Sequence, residues 1–243
     1  NASRLYYQYS TPIMTDFEYD KLYDELEKLE KETNTVLSNS PTQNVEPEAI
    51  DSLVKVEHPA PMLSLSKTKS ISELASFLGN QEGLISWKLD GLTIVLTYKA
   101  GKLSSGVTRG NGIIGEVVTE NVKKFKNIPL TIPYKGTLVV RGEAVIKYSD
   151  FNKMNEELDD DSSQYKNPRN LCSGSVRQLD SKVTAKRNVN CIIFALIESE
   201  KNFKLKSEEF EWLKSLGFDV VEYHKVTSNN IEEQVLYFKN KIN

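Results

Sequence analysis

Leu84-Ile85-Ser86-Trp87-Lys88-Leu89-Asp90-Gly91-Leu92-Thr93-Ile94-Val95-Leu96-Thr97-Tyr98, continuing through Lys99-Ala100-Gly101-Lys102 into Leu103–Thr108, is the stretch on which the fold turns. Leu84–Lys88 and Leu92–Tyr98 are apolar and β-branched, the side chains that suit a pleated, half-buried surface. A four-residue turn at 99–102 is far too short for a parallel crossover, so the strands it joins are antiparallel. Working outward, Thr137–Ile146 reads as another strand and Cys191–Ile197 as a buried one. Helical patterns separate them. Ser70 with Glu73 caps a short helix carrying Leu74, Phe77 and Leu78; others run from about Asp150 to Leu158, from Ser207 to Leu216 before Gly217, and onward from Asn230 with Glu233. Strands and helices mix without βαβ alternation, which predicts an α+β fold of antiparallel sheets with flanking helices.

Upstream, Thr15 with Glu18 forms a capping box, and Tyr19, Leu22, Tyr23, Leu26 and Leu29 recur on one helical face. Asp16, Asp20 and Asp24 line a neighbouring acidic stripe, either a solvated face or a ligand grip. Between Thr33 and Pro61 the pattern dissolves into Ser, Asn, Pro and Glu, a linker with a domain boundary near 45–55. The reading is a small helical domain over 1–48 and an α+β domain over 49–243.

The 243 residues are 39% hydrophobic and 27% charged, enough apolar material for a packed core. With 31 basic and 34 acidic side chains the net charge is −3, which excludes a strongly basic nucleic-acid coat. Cys172 and Cys191 cannot build a four-ligand zinc site, and no metal site is expected. A reduced, cytoplasmic setting fits, and Cys191–Ile197, the longest apolar run, is far short of a membrane span.

Two motifs compete for the chemistry. Gly110-Asn111-Gly112-Ile113-Ile114-Gly115 matches the G-x-G-x-x-G dinucleotide pattern, but that reading needs an acidic residue about 20 positions on, and Leu130–Val140 contains none. A glycine-rich turn that brings backbone and Arg109 close to a ligand is the milder reading. Lys88-Leu89-Asp90-Gly91 sets a lysine at the end of an apolar strand, where desolvation would leave some neutral amine able to attack phosphorus. A surface lysine at a strand end is the plain alternative.

Lys88-Leu89-Asp90-Gly91, Val140-Arg141-Gly142-Glu143 and the long phrase Asn167-Pro168-Arg169-Asn170-Leu171-Cys172-Ser173-Gly174-Ser175-Val176-Arg177-Gln178-Leu179-Asp180 together resemble the adenylation domain of NAD-dependent DNA ligases. Thr108-Arg109-Gly110, Gly115-Glu116 and Thr119-Glu120-Asn121-Val122 are similar to that family's segment after the nucleophile strand, and Pro61–Leu65 to the one before it. Tyr6-Tyr7, Pro12 and Asp16–Asp20 are similar to its small cap, which recognises the nicotinamide mononucleotide (NMN) half of NAD.

The resemblance implies a lysine-adenylating nucleotidyltransferase fold, unlike the ATP-grasp, with a helical cap. It implies Lys88 as the nucleophile that takes AMP from NAD, Asp90 and Gly91 completing its motif, Glu143 on the ribose, and Arg109 on the nucleotide. Phe194 falls where an aromatic stacks on adenine, though a core phenylalanine fits as well. Ser64 and Leu65 match the adenine pocket. Tyr6, Asp16, Tyr19 and Asp20 match the mononucleotide grip, and Arg169 and Arg177 match arginines that serve the reaction or grip the nicked strand. NAD is the implied AMP donor, Mg2+ is expected for the full reaction, and nicked double-stranded DNA is the implied partner, with roles in DNA replication and repair. Departures stand at Ser86, where a glutamate near the base is usual, and at Ser66-Lys67, Asn111 and Val118, where the family carries aspartates or asparagine. No Asp-Gly pair follows Gly91, so the family's late lysine segment is missing. The expectation is either a fragment of a longer ligase or a subunit that a partner chain completes, crippled in adenylation alone.

Overall fold

A computed structural model describes residues 16–33, 53–59, 62, 66–158 and 164–242, with backbone alone for 16–20, 23, 24 and 27. The contacts divide the chain into two units, one of residues 1–62 with 108–117, the other of 63–107 with 118–243.

In the smaller unit α1 spans Asp16–Thr33. The capping box at Thr15 lies outside the described residues. Within the predicted linker the chain forms β1 (Lys55–Glu57), which pairs antiparallel with β5 (Ile114–Glu116), Val56 opposite Gly115. Between Arg109 and Ile113 the glycine pattern doubles back. Gly110 and Gly112 hold φ of 56° and 92°, and Asn111 Oδ1 accepts from the backbone N–H of Ile113 (2.9 Å) and Ile114 (2.8 Å). A Cβ on Gly110 would lie 1.8 Å from the Ile114 carbonyl oxygen, so only glycine fits. The motif therefore closes a turn between strands and opens no helix, which removes the phosphate-binding helix N-terminus a dinucleotide fingerprint requires.

The larger unit is organised by a four-stranded sheet in the order β4-β3-β6-β7, made of β3 (Leu92–Lys99), β4 (Lys102–Thr108), β6 (Leu138–Val145) and β7 (Asn190–Glu198). β3 and β4 meet through Ala100 and Gly101, both at positive φ (51° and 78°), the turn whose twist matches the strands it joins. β3 pairs antiparallel with β6, and β6 with β7. Period-two burial sorts the faces. Ile94, Leu96 and Tyr98 on β3, Leu138 and Val140 on β6, and Cys191 and Ile193 on β7 are buried, and the Tyr98 hydroxyl reaches the Pro129 carbonyl at 2.8 Å. Across the β3–β6 pair, Thr93 stands opposite Glu143 and Val95 opposite Arg141, so these four share the other face.

Around the sheet lie α2 (Ile71–Leu78), α3 (Thr119–Val122), α4 (Tyr148–Glu156), α5 (Pro168–Val176), α6 (Ser181–Lys186), α7 (Lys206–Ser215) and α8 (Ile231–Asn240). The Ser70 cap forms as expected, its hydroxyl accepting from Glu73 N–H at 3.2 Å, whereas Phe77 is 88% exposed and joins no core. Asn230 stands at the N-cap of α8 as expected but makes no side-chain cap bond; its side-chain oxygen accepts instead from Thr227 N–H at 2.7 Å. β2 (Gly83–Ser86) is not in the main sheet and pairs with β8 (Tyr223–Val226). No described helix is long and apolar enough to cross a membrane.

Candidate active site

β2 ends at Ser86, two residues before Lys88, and Trp87–Asp90 runs as open chain before β3 begins at Leu92. Lys88 is exposed, so the burial expected of a strand-end lysine is not found; the strand stops too early to provide it. Its neighbour is fixed instead. Trp87 Nε1 donates to a Glu222 carboxylate oxygen (2.8 Å), and its ring meets Phe238 edge to face with centroids 4.8 Å apart. Glu222 also accepts from Lys241 (2.7 Å) and Tyr237 (3.0 Å), and these bonds, Lys241 foremost, push its pKa down to about 2.

Behind Lys88 the chain turns against β6 at Gly91, where a Cβ would lie 2.0 Å from the Ala144 carbonyl oxygen. That close approach puts Gly91 N–H on Glu143 Oε1 at 3.0 Å, while the Thr93 hydroxyl donates to Oε2 at 2.8 Å. Glu143 is only 9% exposed, and burial raises its pKa against the opposing pull of these two bonds and of the Arg169 and Lys88 charges. Lys88 itself stands three residues before Gly91, on the segment that the Gly91 bond ties to Glu143. Arg169, second residue of α5, reaches Asp90 at 3.3 Å and closes the group. Asn167 caps α5, its side-chain oxygen accepting from Asn170 N–H at 2.7 Å, and Pro168 suits the first helical position, so the sequence itself starts the helix that carries Arg169.

Lys88, Asp90, Gly91, Glu143 and Arg169 are thereby brought together. Arg177 lies at the far end of α5, eight residues or about 12 Å along the helix from Arg169. Phe194 is half-buried on β7, where Arg141 opposes Ala195 and Gly142 opposes Ile193, making Phe194 the extra residue of a bulge. Ser86 is exposed at the end of β2, opposite Tyr223. In the smaller unit Arg109 Nη2 donates to the Met62 carbonyl at 2.9 Å. Tyr6, Ser64 and Leu65 lie outside the described residues, as do the side chains of Asp16, Tyr19 and Asp20. Among the departures, Asn111 performs the turn, and Val118 is 2% exposed, where an aspartate would be a buried charge. Thr93 escaped notice in the sequence, although a hydroxyl at the second position of an apolar strand, on the face opposite Ile94, was the available signal. Trp87 and Glu222 are 135 positions apart and gave none.

The state of Glu143 makes a testable asymmetry. Raised by burial, it binds a proton more tightly in the folded chain than in the unfolded one, so folding stability declines as pH rises through its folded pKa. Glu143→Gln keeps an oxygen for Gly91 and an amide that the Thr93 oxygen can accept. The variant is expected to melt at or above the wild-type temperature at pH 8, with its advantage shrinking toward pH 4. Thermal melts across that range decide it; a Gln variant that loses ground as pH rises contradicts the account.

Compared with known proteins, residues 50–243 match the family model described as NAD-dependent DNA ligase adenylation domain, and residues 1–46 match that of the DNA ligase-like, N-terminal NAD+-binding domain. A protein named DNA ligase from Lachnoclostridium phytofermentans is 58% identical over 99% of the chain, and one from Ruminiclostridium cellulolyticum is 55% identical over 99%. The DNA ligase of Helicobacter pylori is 38% identical over 97%. In each case the chain spans about 37% of the relative's length. The chain belongs to the NAD-dependent DNA ligase family.

Proposed function

We propose that this chain is the NAD-consuming, AMP-accepting portion of a DNA ligase, with a helical cap over 1–48 and a lysine-adenylating nucleotidyltransferase domain over 49–243. The observation that carries the reading is the grouping of exposed Lys88 with Glu143, Gly91 and the Arg169–Asp90 pair. Lys88 Nζ attacks the α-phosphorus of NAD. An N–P bond forms, the P–O bond to NMN breaks, and the amine's proton leaves to solvent from an exposed side chain. Glu143 has lone pairs to spare beyond its bonds to Gly91 and Thr93, and these accept from ribose hydroxyls. Asp90, held by Arg169, fixes the loop that carries the lysine. Phe194 and Leu65 flank the adenine, with Ser64 and Ser86 at its edge, and Arg109 contacts the nucleotide.

Tyr6, Asp16, Tyr19 and Asp20 grip NMN, aromatic faces meeting the pyridinium and carboxylates its charge. The AMP then passes to the 5′-phosphate of a DNA nick, and the adjacent 3′-hydroxyl displaces it, with Arg169 and Arg177 contributing guanidinium forks to phosphate oxygens. The rest of the longer protein, or a partner chain, supplies further DNA contacts; replication and repair in the cytoplasm are the setting. Mg2+ is expected in the full reaction, yet the described residues offer it no cluster of three His, Cys, Asp or Glu side chains, and none of these steps runs through it.

Intact-protein mass measurement on the full-length protein that carries this chain tests the reading. Incubation with NAD is expected to add one AMP and release NMN, and ATP to add nothing. An adduct from ATP and none from NAD would assign the chain to another branch of lysine-adenylating enzymes.

A further inference from the structure

A helix leaves its last carbonyls without intrahelical donors, and a glycine in the left-handed conformation commonly ends the run. α5 has no such residue at its end: Arg177, its C-cap, sits at φ −94°. Two side chains from elsewhere finish it. Asn121, on α3 and 5% exposed, donates through Nδ2 to the carbonyls of Val176 (2.7 Å) and Gln178 (2.8 Å), the residues on either side of Arg177. Thr184, on α6 and fully buried, places its hydroxyl 2.7 Å from the Ser175 carbonyl and 3.0 Å from Asn121 Oδ1, so its one hydrogen is shared between them. Ser175, also buried, returns its own hydroxyl to Leu171 at 2.6 Å. Both amide hydrogens and the amide oxygen of Asn121 are thus engaged, and a buried network so fully satisfied is rigid.

We infer that Asn121, locked by Thr184, is a positioning residue for Arg177: it clamps the backbone on both sides of the arginine and so fixes where the guanidinium meets a phosphate. An arginine side chain has many rotamers to give up, so a wandering attachment point would add to the cost of each phosphate contact. Solvent or a glycine could have satisfied the same carbonyls. Only a donor with two hydrogens and a locked oxygen ties the residues before and after Arg177 to a third helix. The inference rests on the proposed reading that Arg177 contacts phosphate.

A mutant cycle in the full-length protein tests it, with single-turnover rates measured separately for lysine adenylation from NAD and for sealing of a pre-adenylated nick. Thr184→Val removes the hydroxyl at nearly constant volume, Thr184→Ser restores it, and Arg177→Ala removes the guanidinium. Thr184→Val is expected to slow whichever step Arg177→Ala slows, by about tenfold, the worth of one buried hydrogen bond. It is expected to add nothing in the Arg177→Ala background, and Thr184→Ser to stay near wild type. Slowing of adenylation assigns the phosphate to NAD; slowing confined to the nick assigns it to DNA. Losses that multiply across the cycle mean that Asn121 and Thr184 act only through general stability, and the inference falls. Wild-type rates for Arg177→Ala refute the phosphate reading itself and take the clamp's role with it. Should Thr184→Val fail to fold, Asn121→Ser, which releases both carbonyls, carries the same cycle.

Discussion

Lys88→Ala is expected to abolish uptake of AMP from NAD, lowering the rate by at least about 10^4-fold, as removal of a covalent nucleophile does in other enzymes. The side chain is exposed, so its loss leaves no cavity and the melting temperature is expected to hold within about 2 °C. Lys88→Arg separates charge from nucleophilicity. The guanidinium keeps the positive charge near Glu143 yet cannot surrender a proton to become a nucleophile, so it is expected to be as inactive as alanine. Intact mass and release of NMN are the measurements. An AMP adduct persisting on the alanine variant would move the nucleophile to another residue, and an active arginine variant would reduce Lys88 to an electrostatic role.

Gly91→Ala carries a large expected cost in stability. The added Cβ would sit 2.0 Å from the Ala144 carbonyl oxygen and 3.0 Å from both the Ala144 carbonyl carbon and Val145 Cγ1. The nearest of these atoms is sheet backbone, which cannot step aside as a flexible side chain can. The chain at 91 must instead lift from β6, and with it goes the bond from Gly91 N–H to Glu143, leaving a buried carboxylate short of a donor. A loss of about 3 kcal/mol or more follows, or a fall of about 6–12 °C in Tm for a unit of this size. Thermal melts measure it. AMP uptake is expected to fall as well, since Lys88 hangs on the displaced segment. A variant melting within about 2 °C of wild type would show that the close approach to Ala144 is not fixed.

Regularity decided which parts of the chain could be read in advance. The hairpin of Leu92–Tyr98 and Leu103–Thr108 was legible because alternation and a four-residue turn leave one way to fold, and the Ser70 and Gly217 boundaries because they depend on neighbours in sequence. β1, β5 and β8 were not: three or four residues cannot display a period, and each is a strand only because a distant partner lies beside it. Phe77 shows the opposite failure, since helical spacing proposes an apolar face that nothing in the described fold covers. At the candidate site the motif residues Lys88, Asp90, Gly91, Glu143 and Arg169 were named from the sequence. What supports them was not, because Thr93 and Trp87 with Glu222 act through hydrogen bonds spanning 50 to 135 positions.

The pairing of Lys55–Glu57 with Ile114–Glu116 bears on how the protein can be trimmed. A truncation that begins after Met62, just where the larger unit takes up the chain, discards one rail of that ladder and keeps the other. The stranded segment would present bare amides and carbonyls along its flank, open to any passing copy. Shortened versions should therefore begin ahead of Lys55, or self-association will masquerade as a folding defect.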